Sequence, residues 1–217
     1  MPDAMKTLYW IRHTQPEYPG GRRMCLGGKI DVPLSEAGHS QAKRLGKIFA
    51  DMPIEAVFCS PMIRTRQVAE YIAQQRCLIT PMELLRELDG GVWDGMDFDE
   101  IRRQYPQHFI QDGIRRFPPG GESDEHGLMR AKEALSWLDE HVKESAIVIA
   151  HSGINRLLLS SMMGIELANK KAIHQEYGCV NLFVKNDQGW TVEAVALTAE
   201  EFENRYVKTE SERDRIK

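Results

Sequence analysis

The sequence predicts an α/β fold: a three-layer sandwich with helices covering both faces of a mostly parallel central sheet. Two observations predict it. Short apolar runs alternate along the chain with amphipathic segments of helical period, the pattern of strands joined by crossover helices. Three of those runs also end in polar, chemistry-bearing residues: Arg12-His13-Thr14, Ser60-Pro61-Met62-Ile63-Arg64 and His151-Ser152-Gly153. The carboxyl ends of parallel strands share one edge of a sheet, where ligands collect.

Taken in order, Thr7–Arg12 is an apolar run that reads as a buried strand. A loop rich in glycine and proline follows. Ser35 is placed to cap a helix with Ala42, Leu45, Ile48, Phe49 and Met52 on its apolar face, and Pro53 stops it. Ala56–Cys59 reads as a second buried strand. Ser60-Pro61 then reads as an N-cap and first-turn proline, opening a helix through Val68, Ala69, Tyr71 and Ile72.

Between residues 89 and 121 the periodicity weakens into clustered glycine, proline, aromatic and arginine residues, an expected excursion over one face of the sheet. Leu128, Ala131, Leu135, Leu138 and Val142 mark a long amphipathic helix leading into Ala146–Ala150, the clearest strand in the chain. Ile154–Met163 is the next helix, with Gly164 as its stop. Cys179–Val184 and Trp190–Ala196 are the last strands, joined by the turn signal Asn186-Asp-Gln-Gly189. This describes one domain over residues 1–207 and a charged tail over 208–217.

Composition narrows the function. A chain of 217 residues buries roughly 70% of its unfolded surface and needs no disulfide or metal staple. With 28 basic and 32 acidic residues the net charge is −4, which argues against a nucleic-acid partner. Its apolar stretches fall far short of the roughly 20 residues that cross a bilayer, so no membrane partner is expected. The N-terminus shows no secretory pattern, and the expected location is the cytoplasm. Cys25, Cys59, Cys77 and Cys179 never form a close pair, so reduced thiols and no metal site are expected. The sequence leaves the oligomeric state open, a homodimer included.

The strand-end residues suggest a chemistry. A single histidine or arginine in such a place is usually structural, but two of each at one sheet edge are harder to dismiss. Guanidiniums are forks of donors matched to phosphate oxygens. A neutral imidazole can attack phosphorus while a second donates to the equatorial oxygens, and phosphoryl transfer asks mainly for positioning and charge stabilisation. The helix after Ser152 is expected to aim its N-terminus at the same anion. No metal or other cofactor is called for. The only Asp-x-Asp, at Asp97-Phe-Asp99, does not follow the first strand. Ser152 lacks the Gly-x-Ser-x-Gly frame of a serine hydrolase, no nucleotide-binding glycine loop is present, and no cysteine has arginine six positions later.

These residues resemble the histidine phosphatase superfamily, also called the phosphoglycerate-mutase-like fold. Five segments over about Thr7 to Ile165 occur in that family's order. They are Arg12-His13-Thr14 with Asp31-Val-Pro-Leu-Ser-Glu-Ala-Gly38; Ser60–Ala69; Leu85-Arg-Glu87-Leu-Asp-Gly-Gly91-Val-Trp93; Gly120-Gly-Glu122-Ser123 with Arg130; and Ala150-His151-Ser-Gly-Ile-Asn-Arg156.

The resemblance implies that His13 is a nucleophile forming a phosphohistidine and that Arg12, Arg64 and His151 clamp the phosphoryl group. Glu87 is then the proton donor, helped if desolvation or the anionic substrate raises its proton affinity. Thr14 and Ser152 stand where glycine is commoner. Thr14 either donates a hydroxyl to the phosphate or fills a turn. The Trp-Asn pair of the mutases is replaced by Gln15-Pro-Glu-Tyr18, and the long mutase insertion is missing, so a phosphatase is favoured over a phosphoglycerate mutase.

Within the family, Cys25-Leu-Gly-Gly-Lys-Ile-Asp31-Val-Pro-Leu34 is similar to the α-ribazole phosphatase branch, with Leu26 in place of a tyrosine. Arg22, Arg23, Arg102, Arg103, Arg115 and Arg116 are candidates for reading a second anionic group of a small phosphorylated substrate, or else a solvated face paired to acids. Trp93, Phe98, Tyr105, Phe109 and Phe117 are expected to pack the excursion down, with stacking on a substrate ring as the alternative. The non-enzymatic alternative is a regulatory module that binds phosphate without turnover.

Overall fold

The computed structural model describes residues 5–108 and 118–208. Six strands, β1 (Lys6–Arg12), β2 (Ala56–Cys59), β3 (Leu78–Pro81), β4 (Ser145–Ala150), β5 (Val180–Asn186) and β6 (Gly189–Leu197), form one sheet in the order β3-β2-β4-β1-β5-β6. The β1–β4, β2–β4 and β2–β3 pairings are parallel, whereas β1–β5 and β5–β6 are antiparallel. The expected three-layer α/β sandwich with a mostly parallel sheet is therefore the fold observed.

Strand side chains alternate between faces, so each strand feeds two cores. Leu8, Trp10, Val148 and Ala150 pack with α4 (Asp124–His141) and α5 (Ser152–Met163) on one side. Ile11, Val57, Cys59, Ile147 and Ile149 pack with α1 (Glu36–Ile48), α2 (Ile63–Ala73) and Phe202 of α6 (Ala199–Phe202) on the other. All four cysteines are free thiols. Among the described residues no helix is long and apolar enough to cross a membrane.

The local signals act as expected at several ends. Ser35 caps α1 by accepting the Gly38 N–H, and the predicted face from Ala42 to Met52 is buried throughout, but the helix ends at Ile48 with Phe49 as its C-cap, so Pro53 is not what stops it. Gly164 stops α5 with φ of 68°, a left-handed conformation that favours glycine.

Two readings need correction. Ser60 is not the N-cap of α2: that position is Met62, and the helix starts at Ile63. The Ser60 carbonyl instead accepts the Thr65 hydroxyl at 2.7 Å, so Ser60-Pro61 forms a turn before the helix. Strand β3 was not foreseen. Among the described residues it pairs only with β2; it leaves Leu78 exposed and ends in Pro81, so it lacks the apolar run of a central strand. The excursion contains a short helix, α3 (Phe98–Gln104), and Trp93 is buried beneath it against Tyr105 and His108. Arg115, Arg116, Phe109, Phe117 and the tail beyond Lys208 lie outside the described residues.

Candidate active site

The sheet order places the ends of β2, β4 and β1 side by side. Arg12 pairs with Ala150 and Cys59 with Ile149, so the three strands stop level with one another. The next residues continue the ladder, with His13 N–H donating to Ala150 O at 3.0 Å and Ser60 N–H to Ile149 O at 2.9 Å. This brings His13 and His151 together, their ring centroids 5.1 Å apart and edge to face.

His13 Nδ1 lies 2.7 Å from the Thr14 carbonyl. A carbonyl only accepts, so Nδ1 carries the hydrogen and Nε2 keeps its lone pair. Burial, then the Arg64 and Arg12 charges, hold the His13 pKa well below its ordinary value and the ring neutral. His151 is lowered by burial first, then by Arg64, His13 and Arg12.

The cations are fixed by backbone carbonyls. Arg12 donates Nη1 to Gln175 O at 2.5 Å and stacks its guanidinium 3.9 Å over Tyr177. Arg64 is wholly buried and donates to Ile30 O at 3.0 Å and Leu26 O at 3.3 Å. Several polar atoms here have no partner among the described residues: Nε of Arg12 and Arg64, the Thr14 hydroxyl, and both ring nitrogens of His151. Buried polar atoms are ordinarily satisfied. The Arg12 and Arg64 charges act on both histidines, so guanidinium and imidazole groups with unpartnered nitrogens share one place, the complement of an oxyanion.

Glu87 reaches the same region from the loop after β3. Its Oε1 accepts the Leu88 and Ile154 N–H groups at 3.0 and 3.1 Å, and its Oε2 accepts the Gly153 N–H at 3.0 Å. This corrects the expected role of α5: its first-turn N–H groups at Gly153 and Ile154 bind the Glu87 carboxylate, so they are not available to a phosphate. The cause is proximity, because Gly153 carries no side chain to hold Glu87 away.

These residues open on a cleft of about 810 Å³, lined among others by Arg12, His13, Glu87, Arg22, Arg23 and Ser152. Thr14, Arg64 and His151 are buried and do not themselves line it. Arg102 also faces the cleft but pairs with Asp99 at 2.8 Å, whereas Arg103 does not line it. Among the described residues no cluster of histidine, cysteine, aspartate or glutamate is arranged as a metal site.

Sequence reasoning missed Tyr18, Tyr177 and Gln175. The two phenols are 2.5 Å apart and join the loop after β1 to the loop before β5, walling the cleft from a recess of about 460 Å³. Gln175, Asn155, Asn181 and Trp10 form a buried network, with Asn155 Nδ2 on Gln175 Oε1 at 3.2 Å and Gln175 Nε2 on Asn181 Oδ1 at 2.8 Å. Asn155 and Asn181 inside apolar segments were the available signal; which residues would satisfy them was not.

Known proteins resemble this chain in sequence and in fold. The family model of the histidine phosphatase superfamily, branch 1, matches residues 8–198. "Phosphoserine phosphatase 1" of Hydrogenobacter thermophilus is 28% identical over 183 residues, covering 82% of this chain and 83% of that protein. "Probable phosphoglycerate mutase GpmB" of Salmonella choleraesuis is 32% identical over 170 residues, 74% of this chain and 76% of its own. The solved structure of Bacillus stearothermophilus YhfR superposes with a TM-score of 0.79 at 30% identity, covering 87% of this chain and 96% of that one. With the family's match running from β1 to the end of β6, the chain belongs to the histidine phosphatase superfamily.

Proposed function

We propose that the protein is a metal-independent phosphomonoester hydrolase acting through a phosphohistidine on a small phosphorylated metabolite of the cytoplasm. One observation carries this reading: a neutral His13 whose Nδ1 is tied to a carbonyl presents Nε2 beside buried donors that lack partners among the described residues. Nε2 attacks phosphorus, the bond to the leaving oxygen breaks, and the negative charge on the equatorial oxygens is met by Arg12, Arg64 and His151. The Thr14 hydroxyl joins them, its burial without a partner favouring donation over mere turn filling.

Glu87 protonates the leaving oxygen, then takes a proton from the water that hydrolyses the phosphoenzyme. Oε2 is the oxygen suited to this, since it accepts one hydrogen bond where Oε1 accepts two.

The test is hydrolysis of an aryl phosphate in excess chelator, with trapping of an acid-labile, base-stable label on His13. His13→Ala is expected to remove both label and turnover while keeping the fold. Turnover without label overturns the covalent route, and binding without turnover favours the regulatory module.

For the substrate, α-ribazole phosphate is the finer reading. Cys25 and Leu26 of the motif that suggests it line the cleft, whose volume suits a small ligand. A mutase is the second reading, favoured by the similarity to GpmB. A panel of α-ribazole phosphate, phosphoserine, sugar phosphates and phosphoglycerates separates them, because a mutase moves phosphate between positions without releasing it.

A further inference from the structure

Glu87 sits on a loop, and a proton donor must be placed to within a fraction of an ångström to act. What holds that loop is an ion pair from elsewhere in the chain. Arg130, on α4, makes a two-point contact with Glu122, through Nε to Oε1 at 3.0 Å and Nη2 to Oε2 at 2.7 Å. The remaining nitrogen, Nη1, donates to the carbonyls of Leu84 at 2.7 Å and Arg86 at 2.8 Å, just before Glu87.

Glu122 grips the other side. Its Oε2 accepts the Asp89 N–H at 3.3 Å, and its own N–H donates to Asp89 O at 2.9 Å. The Arg130 and Glu122 side chains are only 15% and 9% exposed; burial pushes the Glu122 carboxyl up, but Arg130 and the Asp89 N–H outweigh it and hold it below the usual carboxylate range. His126 also reaches Glu122 Oε1, at 2.8 Å from the solvent side. Packing completes the grip, because Gly127 of α4 leaves no room for a Cβ, which would lie 2.4 Å from Leu88 Cδ2.

We propose that Glu122 and Arg130 are positioning residues for Glu87. Arg130 fixes the backbone before it and Glu122 the backbone after it, so that Oε2 meets the leaving oxygen. The inference rests on the reading of Glu87 as proton donor. It assigns a role in the reaction to a pair that the sequence marks only as part of a motif.

The experiment measures kcat/KM for an aryl phosphate and an alkyl phosphate in Glu87→Gln, Arg130→Lys, Glu122→Gln and the double variants with Glu87→Gln. The alkyl ester, a poor leaving group, depends on protonation far more than the aryl ester. The ratio of the two values is independent of the fraction of enzyme folded, so a merely structural loss cancels. Arg130→Lys keeps the charge and loses the fork; Glu122→Gln keeps the shape and loses the charge.

Each is expected to lower alkyl phosphate turnover about tenfold and aryl phosphate turnover less than about twofold. Inhibition by inorganic phosphate is expected to stay unchanged. In the Glu87→Gln background neither substitution should cost more, because residues acting through one group do not add. Parallel losses on both esters, full additivity with Glu87→Gln, or weakened phosphate inhibition overturns the inference. If Glu87→Gln itself slows both esters equally, the proton-donor reading falls and this inference with it. That outcome is distinct from one in which only the Glu122 and Arg130 variants lack ester dependence.

Discussion

Gly153→Ala tests the contact between α5 and Glu87 with a single methyl group. Gly153 is outside the left-handed region, so alanine brings no backbone strain. The added Cβ would lie 2.4 Å from Glu87 Oε1 and 3.1 Å from both Glu87 Cδ and Leu88 Cδ1. Ordinary contact begins near 3.4 Å, so the carboxylate must retreat by about 1 Å. The hydrogen bonds from Gly153 and Ile154, now 3.0 and 3.1 Å, would stretch to about 4 Å, beyond bonding reach.

A displacement of about 1 Å in a catalytic group costs on the order of 10²-fold in rate. The expected result is a loss of that size in kcat/KM for an alkyl phosphate and a much smaller one for an aryl phosphate. Stability should change little. Alanine is worth up to about 1 kcal/mol over glycine in a helix, which offsets part of the lost carboxylate contacts. Steady-state kinetics on both esters and a thermal melt decide it. Wild-type turnover of the alkyl ester, with the melt unchanged, would show that Glu87 does not act from the position described.

Three further outcomes are expected. Below pH 6.5 the unfolded chain protonates His13 and His151 while the fold keeps them neutral, so their contribution to stability is present above pH 6.5 and is lost as pH falls. The slope for each histidine is about 0.7 kcal/mol per pH unit at pH 6.5 and rises toward about 1.4 below it. Urea titrations from pH 7.5 to 5.5 read it, and a flat profile that His151→Gln leaves unaltered contradicts it. Gln175→Ala strands donors of Asn155 and Asn181 in the core and should cost about 2–5 kcal/mol, on the order of 10 °C in Tm; an unchanged melt refutes the network's role. Thr14→Val removes an unpartnered buried hydroxyl, so it should hold or raise stability by about 1 kcal/mol while lowering kcat/KM about tenfold or more. Full activity would return Thr14 to filling a turn.

Much of the architecture was legible because its signals are local. Apolar runs became β1, β2 and β4, Ser35 capped α1, and Gly164 ended α5. Ala56–Cys59 shows the strength of such a signal, its predicted and observed bounds being the same. Strand β3 shows its limit: an edge strand is held by one neighbour's ladder, which leaves no apolar pattern in its own residues.

For the site, the sequence by itself determined the chemical groups and placed them at the ends of strands sharing one sheet edge, and the strand order seen in the structure then set Arg12, His13 and His151 side by side. Only the tertiary structure decided which donors remain free for a ligand. The α5 N-terminus looked available in the chain, yet its N–H groups are taken by Glu87 from a loop 66 residues away. Hydrogen bonds are short-ranged and saturable, so which partner takes a donor depends on what folding brings within about 3 Å, a fact that no local pattern of residues encodes.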